Sequence, residues 1–320
     1  MFSRVPVFYT LENNQEKQLS DADNQRLFRW QLSTFWVLLV GYAGYYLCRG
    51  NLSAAFPLLA EGFGFSNTQL GLIASISEIA YACGKFINGP LADKIGGRRI
   101  FLIGMAGAIV WNIVFSLSAS LAMFIAIWCC CRYFLSMGWG GLAKTIGSWY
   151  PSDRNGTVMG FISISFQFGG VIATLFAGFL VLQGVGWQGL FVYPALVLSG
   201  IWIWSYFSSR SNPASVIPGA MVGDAKLGKK QLADYGGETK PEIKTILKSL
   251  FRMSIFRQLL LFSFLTTLLR SAFFIWTPKF LFDIGLGASS AILNSAVFPL
   301  LGVLGTVLLG WYTDHYARNG

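Results

Sequence analysis

Eight apolar stretches, each of roughly 20 residues or more, follow one another near 31–60, 68–91, 100–118, 120–145, 156–183, 187–207, 256–282 and 288–312. A run of that length crosses the hydrocarbon core as a helix, which pairs every backbone amide within itself where no water is present to do so. Of the 320 residues, 54% are hydrophobic and only 12% charged, against about 25% charged in a typical soluble domain. These features predict an all-α membrane protein with many passes and exclude a soluble fold.

The formal net charge of +10 does not mark a nucleic-acid binder, because the basic residues gather in the connecting turns. Lys94, Arg98 and Arg99 follow the second segment, Arg154 the fourth, a basic loop the sixth and Arg318 the eighth, whereas the opposite turns hold Glu61 and Asp283. The positive-inside rule then places both ends in the cytoplasm, with a plasma (inner) membrane as the expected location. Residues 1–30 lack the apolar core of a signal peptide and read as a cytoplasmic tail. A bundle of six helices is expected over 31–207, a cytoplasmic linker over 208–255, and two further helices over 256–320. The linker's seven lysines and arginines between Lys226 and Arg252 suit contact with anionic lipid. Cys48, Cys83 and the run Cys129 to Cys131 lie in apolar segments without metal-ligand spacing and read as packing residues.

Five features recur at one fixed offset: Arg49 with Arg270, Pro57 with Pro278, Gly64 with Gly285, Gly89 with Gly310 and Asp93 with Asp314. An intramembrane arginine, a proline eight residues on and a Gly-x-x-x-Asp turn, all in register, predict a duplicated scaffold. If the first copy supplies six helices, a complete pair has twelve, of which eight are present; a self-contained protein of eight helices is the alternative.

Arg49 is the first functional candidate, since an ionised arginine at the centre of a spanning helix costs about 2.5–3.5 kcal/mol on insertion scales unless a cavity or partner receives it. Tyr46 and Tyr42 precede it on the same helical face and would flank the guanidinium with phenol hydroxyls. The competing reading lets Arg49 snorkel to the interface, with the tyrosines in an aromatic belt. Glu78 shares a face with Tyr81 and Lys85, so it is a titrating counter-ion, half of a structural pair with Lys85, or a protonated acid hydrogen-bonded to a neighbouring helix. Arg132 in the fourth segment, as a buried arginine, neutralises a glutamate or hydrogen-bonds to carbonyls.

Between the second and third segments, Gly89-Pro-Leu-Ala-Asp93-Lys94-Ile-Gly96-Gly97-Arg98-Arg99 resembles the cytoplasmic loop signature of the major facilitator superfamily. The resemblance implies the major facilitator fold, and a conformational gate in which Gly89 permits close helix approach, Gly96 and Gly97 turn the chain, and Asp93 and Arg98 exchange charge contacts. The stretch from Gly41 to Arg49 with Pro57, then Ala80-Tyr81, Lys85-Phe86, Met137-Gly138-Trp139 and Leu268-Leu269-Arg270 with Trp276-Thr277-Pro278, is similar to the organophosphate:phosphate antiporters. That likeness implies that Arg49 and Arg270, one from each half, grip a phosphoryl group, with Lys85, Tyr42, Tyr46, Tyr81 and Trp139 lining the cavity. A guanidinium fork matches two phosphate oxygens and stays charged at any working pH, which suits a pair of arginines to a dianion. Phe166 stands where the bacterial pattern has a histidine, Gly50 where it has a lysine, and Ile275 where it has an acidic residue. The segment from Arg132 to Gly140 also resembles the helix-four motif of proton-coupled members of the superfamily.

The sequence shows no phosphate-cradling Gly-x-x-x-x-Gly-Lys loop, metal cluster or histidine-supported nucleophile, so neither an enzyme nor a cofactor is expected. The expected activity is exchange of a small phosphorylated organic molecule for inorganic phosphate by alternating access, by a monomer in the bilayer. A proton-coupled organic-anion carrier and a sugar-phosphate receptor that does not transport are the alternatives.

Overall fold

The computed structural model describes residues 20–150, 152–218, 220 and 249–316, so the expected tail up to residue 19, most of the basic linker and Arg318 lie outside the described residues. Within the described residues the protein is helical throughout: α1 (Asp21–Phe63), α2 (Asn67–Ile95), α3 (Gly97–Phe115), α4 (Leu121–Leu135), α5 (Met137–Trp149), α6 (Ser152–Leu182), α7 (Gly189–Ser208), α8 (Ser254–Asp283), α9 (Ala288–Ser295) and α10 (Val297–Tyr316). A short 3-10 turn at Pro213–Ser215 follows α7. Seven segments are long and apolar enough to cross a membrane, with α4 and α5 forming one of them across Leu121–Trp149. The eighth expected segment lies in α1, the longest helix at 43 residues, whose middle is made more polar by tyrosines, glycines and Arg49.

Helix ends follow local chemistry. Ser20 caps α1 by accepting from the Asp23 amide, and Asp21 and Asp23 complement the positive end of the helix. The helix therefore starts within the stretch assigned to the cytoplasmic tail, ten residues before the apolar run. Gly64, at φ +65°, closes α1 in the left-handed region, and Ser66 with Gln69 forms a capping box that starts α2. Gly285, the repeat partner of Gly64, likewise takes a positive φ of 102° after α8.

α1 is the axis of the bundle and packs on α6 and α7, while α2 packs on α4, and α3 on α4, α5 and α7. The second group of helices meets the first where α8 touches α1 and where α9 and α10 touch α6. Close approach of helices occurs at Gly97 and Gly141, where an added Cβ would lie 2.6 Å from the Gly141 carbonyl or 2.8 Å from the Gly97 carbonyl. Gly89, expected to serve that purpose, has open space around its Cβ position, so its lack of a side chain relieves no clash here. Gly96 does turn the chain, at φ +91°.

The core is aromatic at one end, where Phe115, Phe124, Trp128 and Phe191 interlock at centroid distances of 4.2–5.8 Å. In the middle it holds a dry polar knot. Asn51 of α1 donates to Asn112 of α3 at 2.6 Å, and Asn112 donates in turn to the Ala108 carbonyl at 2.8 Å and the Cys131 sulfur at 3.2 Å. Buried amides require such partners, and these tie three helices together.

Pro57 and Pro278 remove the amides that would have bonded to the carbonyls of Ser53 and Phe274. The Ser53 hydroxyl donates to the Phe274 carbonyl at 2.9 Å and to that of Ile275 at 2.8 Å, joining α1 to α8 beyond the two arginines. Phe56 of α1 packs on Trp276 in the same contact, with ring centroids 5.4 Å apart. On the other side, α8 is exposed from Arg257 to Arg270. The two halves thus touch at the Phe63 and Asp283 ends of their leading helices and separate toward the starts of those helices.

Candidate functional site: an aromatic and cationic cavity

Arg49 turns into the bundle, not toward the interface. Its Nη1 donates to the Tyr81 hydroxyl at 3.3 Å, and its guanidinium carbon lies 5.4 Å from the Tyr46 ring centroid and 4.9 Å from that of Tyr81. Tyr81, on α2, is the meeting point of three cations. Lys85, one helical turn later, places Nζ 4.8 Å from the same centroid, and Arg132 of α4 places its guanidinium carbon at 4.6 Å. The negative face of an aromatic ring attracts such groups, by about 0.5–2 kcal/mol each, and lets like charges gather closer than they would in an apolar pocket.

Glu78 pairs with Arg132, in a contact between Oε1 and Nη2, and not with Lys85 as the sequence spacing allowed. The reason lies in tertiary packing: α2 and α4 face each other, so Arg132, only 3% exposed, is nearer to the carboxylate than a lysine almost two turns down the same helix.

The other wall is aromatic. Trp139 of α5 lies 5.5 Å from Tyr42, Tyr42 lies 5.7 Å from Tyr46, and Tyr46 lies 6.2 Å from Phe166 of α6. Arg270, from α8, places its guanidinium carbon 4.7 Å from the Phe166 centroid. An unbroken series of ring contacts therefore runs from Arg49 through Tyr46 and Phe166 to Arg270. Tyr45, between the two wall tyrosines in sequence, points the other way and donates to the Phe101 carbonyl at 2.5 Å. Its helical position turns it toward α3, away from the cavity.

All seven residues expected to line a binding cavity, Arg49, Arg270, Lys85, Tyr42, Tyr46, Tyr81 and Trp139, thus fall in one contiguous cluster, with Glu78 and Arg132 beside them. Lys85 and Arg270 are exposed, so the cluster is accessible from their side. The expected gate residues lie apart from it. Asp93 pairs with Lys144 of α5 at 2.5 Å, while Arg98 donates to the Ser209 hydroxyl at 2.9 Å and the Tyr206 carbonyl at 2.6 Å. Arg98 therefore ties the start of α3 to the end of α7, and Asp93 ties α2 to α5. The side chains of Asp314 and His315 are not among those described.

Two contributors were missed in the sequence. Phe166 was read only as a lost histidine, yet its ring carries Arg270, a role that no local pattern marks because the two residues come from different halves. Ser53 had a legible signal: it stands at the same repeat offset from Phe274, four residues before a proline, where a freed carbonyl awaits a donor.

Similarity to known proteins agrees with this architecture. The Chlamydia pneumoniae "Probable hexose phosphate transport protein" is 26% identical over 319 residues, covering 95% of this chain and 70% of the relative. The Bacillus subtilis glycerol-3-phosphate transporter is 27% identical over 315 residues, covering 93% of this chain and 68% of the relative. Among solved structures, a bacterial homologue of the human lysosomal transporter Spinster, in an inward-facing and unoccupied conformation, aligns with a TM-score of 0.65 at 17% identity, covering 91% of this chain and 64% of that one. At that identity the likeness concerns the fold alone. Residues 38–320 match the Major Facilitator Superfamily model, and with a helical membrane scaffold of this order and relatives of the organophosphate-carrying kind, the chain belongs to that superfamily.

Proposed function

We propose that the protein exchanges a small phosphorylated organic molecule for inorganic phosphate by alternating access. The observation that carries this reading is the convergence of Arg49 and Arg270, from repeat-equivalent positions of α1 and α8, on adjoining rings of one aromatic wall. Two guanidinium forks and the Lys85 ammonium suit a phosphoryl dianion, and the tyrosine hydroxyls supply further donors. The names of the hexose phosphate and glycerol phosphate relatives point to the same ligand class.

Exchange, in contrast to simple uptake, follows from the cost of closing an empty cavity. Enclosing unbalanced cations away from water costs several kcal/mol unless an anion neutralises them, so a loaded carrier crosses and an empty one does not. The contact of Ser53 and Phe56 with α8 seals one side, and the exposed Lys85 and Arg270 open the other, which the charge rule assigns to the cytoplasm. Rocking of the two helical groups about this contact would present the cavity alternately.

Counterflow in proteoliposomes loaded with phosphate tests the proposal: external phosphate or organophosphate is expected to drive release of labelled internal phosphate. Arg49→Lys or Arg270→Lys, which keeps the charge and loses the fork, is expected to reduce exchange at least ~10-fold at equal protein level. Unaltered exchange in both variants would dismiss the two-fork site. The pair of Glu78 with Arg132 beside Tyr81 favours a second reading, proton-coupled transport, for which uptake driven by an imposed pH gradient without internal phosphate is the distinguishing result.

A further inference from the structure

Glu78 is the one carboxylate among the described side chains in contact with the cationic cluster. Its side chain is 40% exposed, whereas that of Arg132 is 3% exposed, so the accessible end of this ion pair is the acidic one. Oε1 is occupied by Arg132, leaving Oε2 to accept from an incoming donor. The guanidinium carbons of Arg49 and Arg132 lie 4.9 and 4.6 Å from the same Tyr81 ring, which brings the pair within the reach of a short tail attached to a phosphoryl group at Arg49.

We propose that the Glu78 and Arg132 pair selects the tail of the substrate: by occupying the third guanidinium, Glu78 makes the cavity accept phosphate esters of uncharged polyols and reject those whose tail carries a carboxylate. The proposal rests on the phosphoryl-binding reading above and adds the chemical class of the remainder of the ligand. A polyol hydroxyl donates to Oε2 in a charge-assisted bond, which is stronger than a neutral one. A tail carboxylate meets instead a like charge in a space of low dielectric, and the guanidinium that would have welcomed it is already paired. Without Glu78, Arg132 is a buried cation in need of an anion, and its Nε already lacks a partner in this arrangement. Glu78 thus acts in two ways, by receiving the tail hydroxyl at Oε2 and by keeping Arg132 paired.

The test uses the full chain in detergent and measures displacement of labelled inorganic phosphate by glycerol phosphate and by phosphoglycerate. The wild-type protein is expected to prefer glycerol phosphate by about 10-fold or more. In Glu78→Gln the ratio is expected to move toward phosphoglycerate by at least ~10-fold, as the freed Arg132 recruits the second acid group. The double variant Glu78→Gln with Arg132→Gln removes both charges, avoids stranding one in the interior, and is expected to fall between the two. A structural role alone would alter stability or both affinities together, not their ratio. An unchanged ratio in Glu78→Gln, or in the double variant should the single one fail to fold, overturns the proposal, as does a wild-type preference for phosphoglycerate. Failure of the wild-type protein to bind phosphate would instead remove the phosphoryl-binding reading itself, and this proposal with it.

Discussion

Asn112 illustrates how much one interior side chain holds in this scaffold. Fully buried among packed helices, it links α3 to Asn51 of α1 and to Cys131 of α4. Replacing it with leucine keeps the volume but leaves the Asn51 amide without an acceptor, a loss of about 1–3 kcal/mol. Asn112→Leu should therefore lower the thermal unfolding midpoint in detergent by several degrees, and a midpoint equal to that of the wild type would show that the knot adds nothing. Tyr81 is the complementary case, a residue whose value is electrostatic. Its ring gathers Arg49, Lys85 and Arg132, and its hydroxyl accepts from Arg49. The resemblance to the organophosphate:phosphate antiporters implied it as a cavity residue, but could not reveal that a residue of α4 would complete the cluster.

Among the helices, α1 and α8 meet through a shared irregularity. Each carries a proline that frees one carbonyl, and the Ser53 hydroxyl of the first copy caps the Phe274 carbonyl of the second. The bond spans the two halves and lies on the far side of Arg49 and Arg270 from the cavity mouth. Ser53→Ala should leave the bundles intact while weakening this contact by about 1 kcal/mol, equivalent to roughly fivefold in the population separated at that end. Spin labels at the exposed positions Glu61 and Asp283 would report the change as a larger fraction of long distances; an unaltered distribution would remove Ser53 from the gate. The Asp93 to Lys144 pair, by contrast, is exposed on both sides, and such pairs contribute at most about 1 kcal/mol.

For the molecule as a whole, the proposed binding of an anion among the clustered cations would couple ligand concentration to stability. A phosphoryl dianion that binds the folded protein alone adds about 2.7 kcal/mol at a concentration one hundred times its dissociation constant. Inorganic phosphate should accordingly raise the unfolding temperature in a saturable way, while chloride at equal ionic strength should not. The increase should be absent in Arg49→Lys with Arg270→Lys, and a non-specific salt effect would appear equally in the variant and the wild type. The long exposed apolar face of α8 from Ile255 to Leu269 adds little to the stability of the described bundle, whose core lies among α1 to α7.

The order of helices and their membrane-spanning character were legible along the chain, because each is a one-dimensional property: the length of an apolar run and the placement of charge. Arg49, Tyr42, Tyr46, Glu78 and Arg132 were legible for the same reason, since a charged or phenolic group within an apolar helix stands out against its neighbours. Arg270 was singled out by its fixed offset from Arg49, and Lys85, Tyr81 and Trp139 by resemblance to a family. Their partners were not. That Glu78 meets Arg132 in preference to Lys85, that Phe166 carries Arg270, that Gly97 and Gly141 mark the close approach while Gly89 stands open, and that Arg98 reaches α7 all depend on which helix faces which. Helical periodicity assigns a side chain to a face, but only the packing of helices decides what that face meets.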